Sequence, residues 1–282
     1  METSEIPKTW GSHERRTCLG SGAFGAVWRF GGIAVKFEKG RRRLLKIEYQ
    51  FLKHMHKDGT CKFVPKPIEY IPASAGQMPS LGMQLCGPSL HDVFKKHGNF
   101  TFNQITSVGN NCFIALSHLS DKGIVHRDLK PANIVFSGNP WSDDSCHVMI
   151  CDFGLAKGFV NDSNVHLPKS VGKRMVGSIR YAGIDVHKGF GVSRRTDAES
   201  LLYSLAQIYL GKLPWQSNMT DKKMDEEEKR AWILEKKLTY ATELSRDRVL
   251  SPILQHLQTL NWDSRPDYQG LANLLMRFRN PI

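Results

Sequence analysis

The chain of 282 residues has only six cysteines, Cys18, Cys61, Cys86, Cys112, Cys146 and Cys151, and no C-x-x-C pair among them. That scatter signals neither a zinc site nor a disulfide framework. Reduced thiols in the cytosol or nucleus are the simplest account. The N-terminus METSEIPKTW lacks a basic-then-apolar pattern, so no secretory signal is expected. Long apolar runs are missing too. LLYSLAQIYLGKLPW is interrupted by Ser204, Gln207 and Lys212 and reads as a buried helix rather than a membrane span. Repeats, long linkers and low-complexity segments are absent. Acidic side chains are scarce: 27 Asp and Glu face 39 Lys and Arg, for a formal net charge of +12. A chain this basic tends to meet anions, whether nucleic acid, acidic lipid, or acidic or phosphorylated protein. A solvated basic surface accounts for the charge equally well.

What is present suffices for a sizeable core, since 40% of residues are hydrophobic. Residues 16–37 alternate β-type runs with glycines, and AVWRFGGIAVKF reads as two strands around Gly31-Gly32. Residues 41–57 place Leu44, Ile47, Phe51 and Met55 on one helical face. Short strands follow near Pro65–Ile71 and Ser80–Leu85. After Gly87 the texture turns helical. Ser89 with Asp92, and Thr101 with Gln104, read as capping boxes, and Gly123 as a C-terminal stop. Short strands near Ile124-Val125, Ile134–Phe136 and Val148–Ile150 bracket the loops. Further helices are expected at 195–211, 222–238, 248–260 and 267–279. The expectation is an α+β chain: a small β-rich lobe with one main helix, a larger helical lobe, and a cleft near Leu85–Gly87.

Four motifs carry chemistry. GSGAFGAV supplies Gly20, Ser21, Gly22, Ala23, Phe24, Gly25 and Val27. A glycine-rich turn lets backbone N–H groups approach phosphate oxygens without a Cβ in the way. A strand rather than a helix follows it, which disfavours a dinucleotide fold. Lys36, in the strand IAVKF, can reach phosphates if a carboxylate holds it, and Glu48 lies on the next helix. IVHRDLKPANIVF holds His126, Arg127, Asp128, Lys130 and Asn133. Asp128 can accept a hydroxyl proton, Lys130 can neutralise a phosphoryl group, and Asn133 offers a neutral oxygen to a hard cation such as Mg²⁺. His126 reads as scaffolding. CDFGLAK brings Asp152, a second ligand for Mg²⁺. Phosphoryl transfer needs positioning and charge neutralisation, and each element supplies one of these.

Over residues 15–280 the chain resembles a eukaryotic-type protein kinase, and DLKPAN with Lys130 resembles Ser/Thr kinases. The resemblance implies the two-lobed kinase fold. Residues 1–14 would be an N-terminal extension, 15–86 the small lobe and 87–282 the large lobe. It also implies ATP and Mg²⁺ as cofactors and protein hydroxyls as substrate. CGPSL, GSIRYAGIDVHKG, SRRTDAESLLYSLAQIYLGKLPWQ and RPDYQGL look like the casein kinase 1 superfamily. Between casein kinase 1 proper and the vaccinia-related branch the choice stays open. By this resemblance Met83 is the gatekeeper, Leu85 offers its backbone to adenine, and Ala34 lines the nucleotide site. Gln84 stands where casein kinase 1 enzymes usually carry Glu. Asp197 looks like the helix aspartate that braces the HRD backbone.

The usual Ala-Pro-Glu is replaced by Gly183-Ile184-Asp185. Asp185 occupies the glutamate's slot and Arg265 stands where its arginine partner is usually kept, so the two are expected to pair. Casein kinase 1 relatives carry an arginine matching Arg180 in a basic pocket. With Lys173 and Arg174 it would hold a phosphate or acidic side chain of the substrate, giving a preference for acidic or phospho-primed proteins. Other readings are a kinase-fold scaffold without activity, a chromatin or DNA binder through the basic surface, and a small-molecule phosphotransferase. No catalytic position is lost, and nothing beyond charge supports nucleic acid. A monomer without membrane attachment is expected, cytoplasmic, nuclear or both. KGRRRLLK (39–46) is basic enough for a nuclear signal, though helix-face packing explains it as well.

Overall fold

A computed structural model describes residues 5–22, 25–40, 44–74, 77–140, 146–216 and 224–279. Ala23 and Phe24 of the glycine-rich turn and Arg41–Arg43 of the basic run lie outside the described residues. The first part of the chain builds one antiparallel sheet. Its strands are Thr9–Trp10 (β1), His13–Gly22 (β2), Gly25–Phe30 (β3), Ile33–Glu38 (β4), Pro67–Ile71 (β5) and Ser80–Gln84 (β6), in the order β1-β2-β3-β4-β6-β5. Gly31 turns the β3–β4 hairpin at φ +54°, a left-handed conformation that glycine adopts without a Cβ penalty.

Alternation along β4 decides what each face does. Val35 and Phe37 join Ile6, Trp10 and Phe30 in a small outer cluster. The outer edge of the Trp10 ring abuts Gly82, where a Cβ would come within 2.3 Å of it, and Trp10 donates its Nε1–H to Ser80 Oγ at 3.0 Å. Ala34 faces the main core, and Lys36, two residues on, shares that side. Against it packs the helix Leu44–Met55 (α1), which buries Leu45, Glu48, Leu52 and Met55. The buried stripe is therefore rotated one residue from the expected Leu44, Ile47, Phe51 and Met55. Apart from Glu48 each set is apolar, and Met55 belongs to both, so periodicity alone does not separate them, and Ile47 is left 37% exposed.

The second part is mostly helical. It comprises Leu90–His97 (α2), Phe102–Asp121 (α3), the short strands Ile124–Val125 (β7), Ile134–Phe136 (β8), Val148–Ile150 (β9) and Lys157–Gly158 (β10), then Ile184–His187 (α4), Arg194–Leu210 (α5), Glu226–Leu244 (α6), Leu250–Gln258 (α7) and Tyr268–Arg279 (α8). β7 pairs with β10, and β8 with β9. Both expected capping boxes form, at Ser89/Asp92 and Thr101/Gln104. Gly123, at φ +71°, follows the end of α3. α5 is buried on every side from Thr196 to Ile208, as its interrupted apolar run suggested. Among the described residues no helix is long and apolar enough to cross a membrane. α6 runs later than expected because Asp225 and Glu228 form its capping box. The single turn α4 is too short to show a period.

The link between the two parts passes very close to the large lobe. Gly87 donates its N–H to Phe136 O at 2.8 Å, and a Cβ on it would sit 1.9 Å from Gly138 O. Ser89, two residues on, caps α2. Replacing Ser89 by Ala removes the bond from Asp92 N and the hydroxyl's bond to Asp92. We expect a loss of about 1 kcal/mol, read as a lower urea midpoint with unchanged slope. A midpoint equal to wild type would show the cap to be idle.

Candidate active site

The glycine-rich turn joins β2 to β3, with Gly20 opposite Val27 and Ser21 opposite Ala26. Gly25 cannot carry a side chain, because a Cβ would lie 1.9 Å from Phe37 O. Below the turn, Lys36 Nζ lies 2.7 Å from Glu48 Oε2 and 2.6 Å from Asp152 Oδ1. Burial alone would lower the Lys36 pKa. The pull of Asp152 and Glu48 outweighs it and holds the ammonium above the ordinary lysine range. Burial pushes the Glu48 carboxyl up, against the pull of Lys36. Burial also works against ionised Asp152, but Lys36 holds it down to about 2. Glu48 makes a further contact: its Oε1 accepts from Phe153 N at 3.2 Å.

Glu38, unmarked by any motif, positions this group. Its buried side chain accepts from Leu44 N at 2.7 Å, the first residue of α1. A carboxylate there satisfies an orphan N–H and suits the positive end of the helix dipole. One strand thus carries Lys36 and also fixes the helix that carries Glu48. The signal was available in IAVKFE, where a second charge two residues on shares the face of Lys36.

The loop after β7 is braced from α5. Asp197 accepts from His126 N at 2.6 Å and from Arg127 N at 3.0 Å. At 3% exposure it is no solvated helix-end carboxylate. Those bonds hold Arg127 at φ +71°, a conformation non-glycine residues avoid unless their surroundings impose it. His126 is buried, packs edge-on to Phe153 with ring centroids 5.0 Å apart, and meets Cys151 O at 3.0 Å through Nε2. Asp128 Oδ2 lies 2.7 Å from Lys130 Nζ, and Oδ1 accepts from Ser178 N at 2.7 Å. Asn133 Nδ2 donates to Asp128 O at 2.9 Å. Asp152 itself is left-handed, at φ +67°.

Lys36, Asp128, Lys130 and Asp152 converge on one cleft. Asp152 Oδ2 and Asn133 Oδ1 take part in no hydrogen bond among the described residues. Both are hard oxygen donors, the set a divalent cation such as Mg²⁺ prefers. Met83 is buried in β6, and Ala34 lies opposite it on β4. No hydrogen bond among the described residues uses the backbone of Leu85, just beyond β6, so its N–H and C=O remain available to a base edge.

The family described as the protein kinase domain matches residues 14–273. The chain belongs to that family. A protein kinase domain uses ATP with a divalent metal, and the donor set above fits both. The chain is also 28% identical over 270 residues to a protein named "Probable casein kinase I homolog" from Encephalitozoon cuniculi, covering 91% of this chain and 81% of the relative.

One expected contact of this kinase does not form. Asp185 pairs with Arg195 at 2.7 Å, not with Arg265. Arg195 lies in the first turn of α5, ten residues on, and its Nε donates to Leu257 O at 3.0 Å, so the guanidinium is already fixed beside α4. Arg265 goes instead to Asp121 at the end of α3, at 2.7 Å, with both side chains about half exposed. The signal lay in SRRTD, whose second arginine is closer in sequence than the slot analogy suggested. On the segment after Asp152, Lys173 and Arg174 are exposed and Arg180 is half-buried. Among the described residues none of the three forms an ion pair, and Arg180 Nε has no partner.

Asp185→Ala leaves Arg195 without its carboxylate in a mostly buried place, and we expect a loss of about 2 kcal/mol. Arg265→Ala, which breaks an exposed pair, should lose less than about 1 kcal/mol. Urea denaturation of the two variants separates them. Equal losses would refute Asp185–Arg195 as the anchor.

Proposed function

We propose that this kinase phosphorylates serine or threonine hydroxyls of proteins, using Mg-ATP and preferring acidic or phosphorylated segments. The observation that carries the reading is Asp128, held on both oxygens by Lys130 and Ser178 N beside a closed Lys36–Glu48–Asp152 contact. DLKPAN and the similarity to a relative named for casein kinase I support the Ser/Thr assignment.

Bound Mg-ATP supplies the phosphoryl group and part of the charge neutralisation. Lys36 is oriented toward the nucleotide phosphates by its two carboxylates. Asp152 and Asn133 would hold the metal through hard oxygens. The backbone at Gly20 and Gly22 is unobstructed and would approach the phosphates, and Ala34, Met83 and Leu85 would receive the base. Asp128 orients the substrate hydroxyl and accepts its proton, while Lys130 balances charge on the group in transit. Arg180, with Lys173 and Arg174, offers unpaired positive charge to an acidic or phosphorylated side chain.

Radiolabelled ATP with casein tests the activity. Asp152→Asn should reduce incorporation by more than about 100-fold, and equal labelling by wild type and variant would sink the kinase reading in favour of an inactive scaffold. Arg180→Ala tests the preference. On acidic or phospho-primed peptides we expect about tenfold lower kcat/KM, with little change on neutral ones. An equal loss on both peptide classes would rule out the anion pocket.

A further inference from the structure

Lys237, on α6, is among the largest fully buried side chains of the protein, at 1% exposure. Lysine is almost never buried this far without an anionic partner. Among the described residues no carboxylate bonds it. Its Nζ donates to Ala182 O, reaches Ile179 O at 3.5 Å, and meets His187 Nε2 at 3.0 Å. The rings of Tyr203 and Trp215 flank the ammonium at 4.6 and 5.2 Å from their centroids. Trp215, itself fully buried, donates its Nε1–H to Arg180 O at 2.8 Å.

Three carbonyls of one short stretch, those of Ile179, Arg180 and Ala182, are thus held from inside the large lobe by two side chains. The same stretch begins at Ser178, whose N–H bonds Asp128 and whose hydroxyl lies 3.2 Å from Lys130 Nζ. It also carries Arg180. Just before it, Gly177 at φ +83° approaches so closely that a Cβ would lie 2.2 Å from Arg127 O. Burial lowers the Lys237 pKa to about 7, against the pull of Glu199. An apolar residue would avoid that desolvation cost. A buried polar group kept despite it is better explained by the geometry it imposes than by stability.

We propose that Lys237, with Trp215, is a positioning residue for the protein-substrate side of the reaction, fixing the backbone between Ser178 and Ala182 in the conformation a substrate meets. The inference rests on the kinase reading above. It gives the segment a main-chain anchor from the interior, alongside the Asp185–Arg195 pair at the segment's end.

The test is steady-state kinetics on the full chain, wild type, Lys237→Met and Trp215→Phe, varying casein at saturating ATP and then ATP at fixed casein. Methionine keeps the length and removes the donors. For Lys237→Met we expect the KM for casein to rise about tenfold, with the KM for ATP within about twofold of wild type. An unchanged casein KM, or a parallel rise in both constants, overturns the proposal. If Lys237→Met does not fold, Trp215→Phe decides it: a casein KM about threefold higher at unchanged ATP KM supports the anchor, and no change overturns it. A wild type that labels neither casein nor a phospho-primed peptide fells the kinase reading and this inference with it. An active wild type matched by its variants overturns this inference alone.

Discussion

The ammonium of Lys36 between Glu48 and Asp152 is the contact on which the rest depends. Three separate pieces of chain must meet for it to form: β4, α1 and the turn after β9. Glu48 is fully buried and Lys36 largely so, a costly placement that only mutual attraction and added hydrogen bonds offset, with Asp152 closing the contact from a side chain 37% exposed. Glu38 on the first residue of α1 and Glu48 on Phe153 N are such bonds. Moving α1 away would strand the buried Glu48 carboxylate and leave Lys36 with Asp152 alone. The small lobe's sheet exists, in this sense, to aim one side chain, and its outer cluster around Trp10 and Phe37 keeps β4 from turning over.

The large lobe solves a different problem. Its reactive loop needs a backbone conformation that residues other than glycine resist, and Asp197 supplies two acceptors where Arg127 turns left-handed. The support is rigid because α5 is packed on every side. Asp128 then gathers Lys130 and Ser178 N, so the loop and the later segment share one carboxylate. Lys36 and Asp128 each lean on a buried neighbour, Glu48 and Asn133, a condition for electrostatic preorganisation.

Much of this was legible in the residues because it is local. Capping boxes at Ser89 and Thr101 depend on three-residue spacing, and both form. The Lys36–Glu48 pair was readable because an acidic residue on an apolar helix face demands a partner. Other features depended on what the fold brings together. α1 has two apolar stripes, and only the sheet chooses between them. Asp185 had two arginines to choose from, and Arg195 was taken because Leu257 O already fixes it. Lys237 looks in sequence like any solvated lysine of a charge-rich helix. Its burial comes from Tyr203 and Trp215, which approach from elsewhere in the chain.

The crossing between the lobes at Gly87 has a mechanical consequence. Its Cα faces the carbonyl of Gly138 with no room for even a methyl group, so main chain there bears directly on main chain. A joint of that kind has no side chains to interlock. Rotation about it need not unpack rotamers or open a void, whereas sliding would break the bond from Gly87 N to Phe136 O. The small lobe is therefore tethered at a point that the large lobe's own backbone fixes. A Cβ at Gly87 would push that tether, and the end of β6 that runs into it, away from the large lobe.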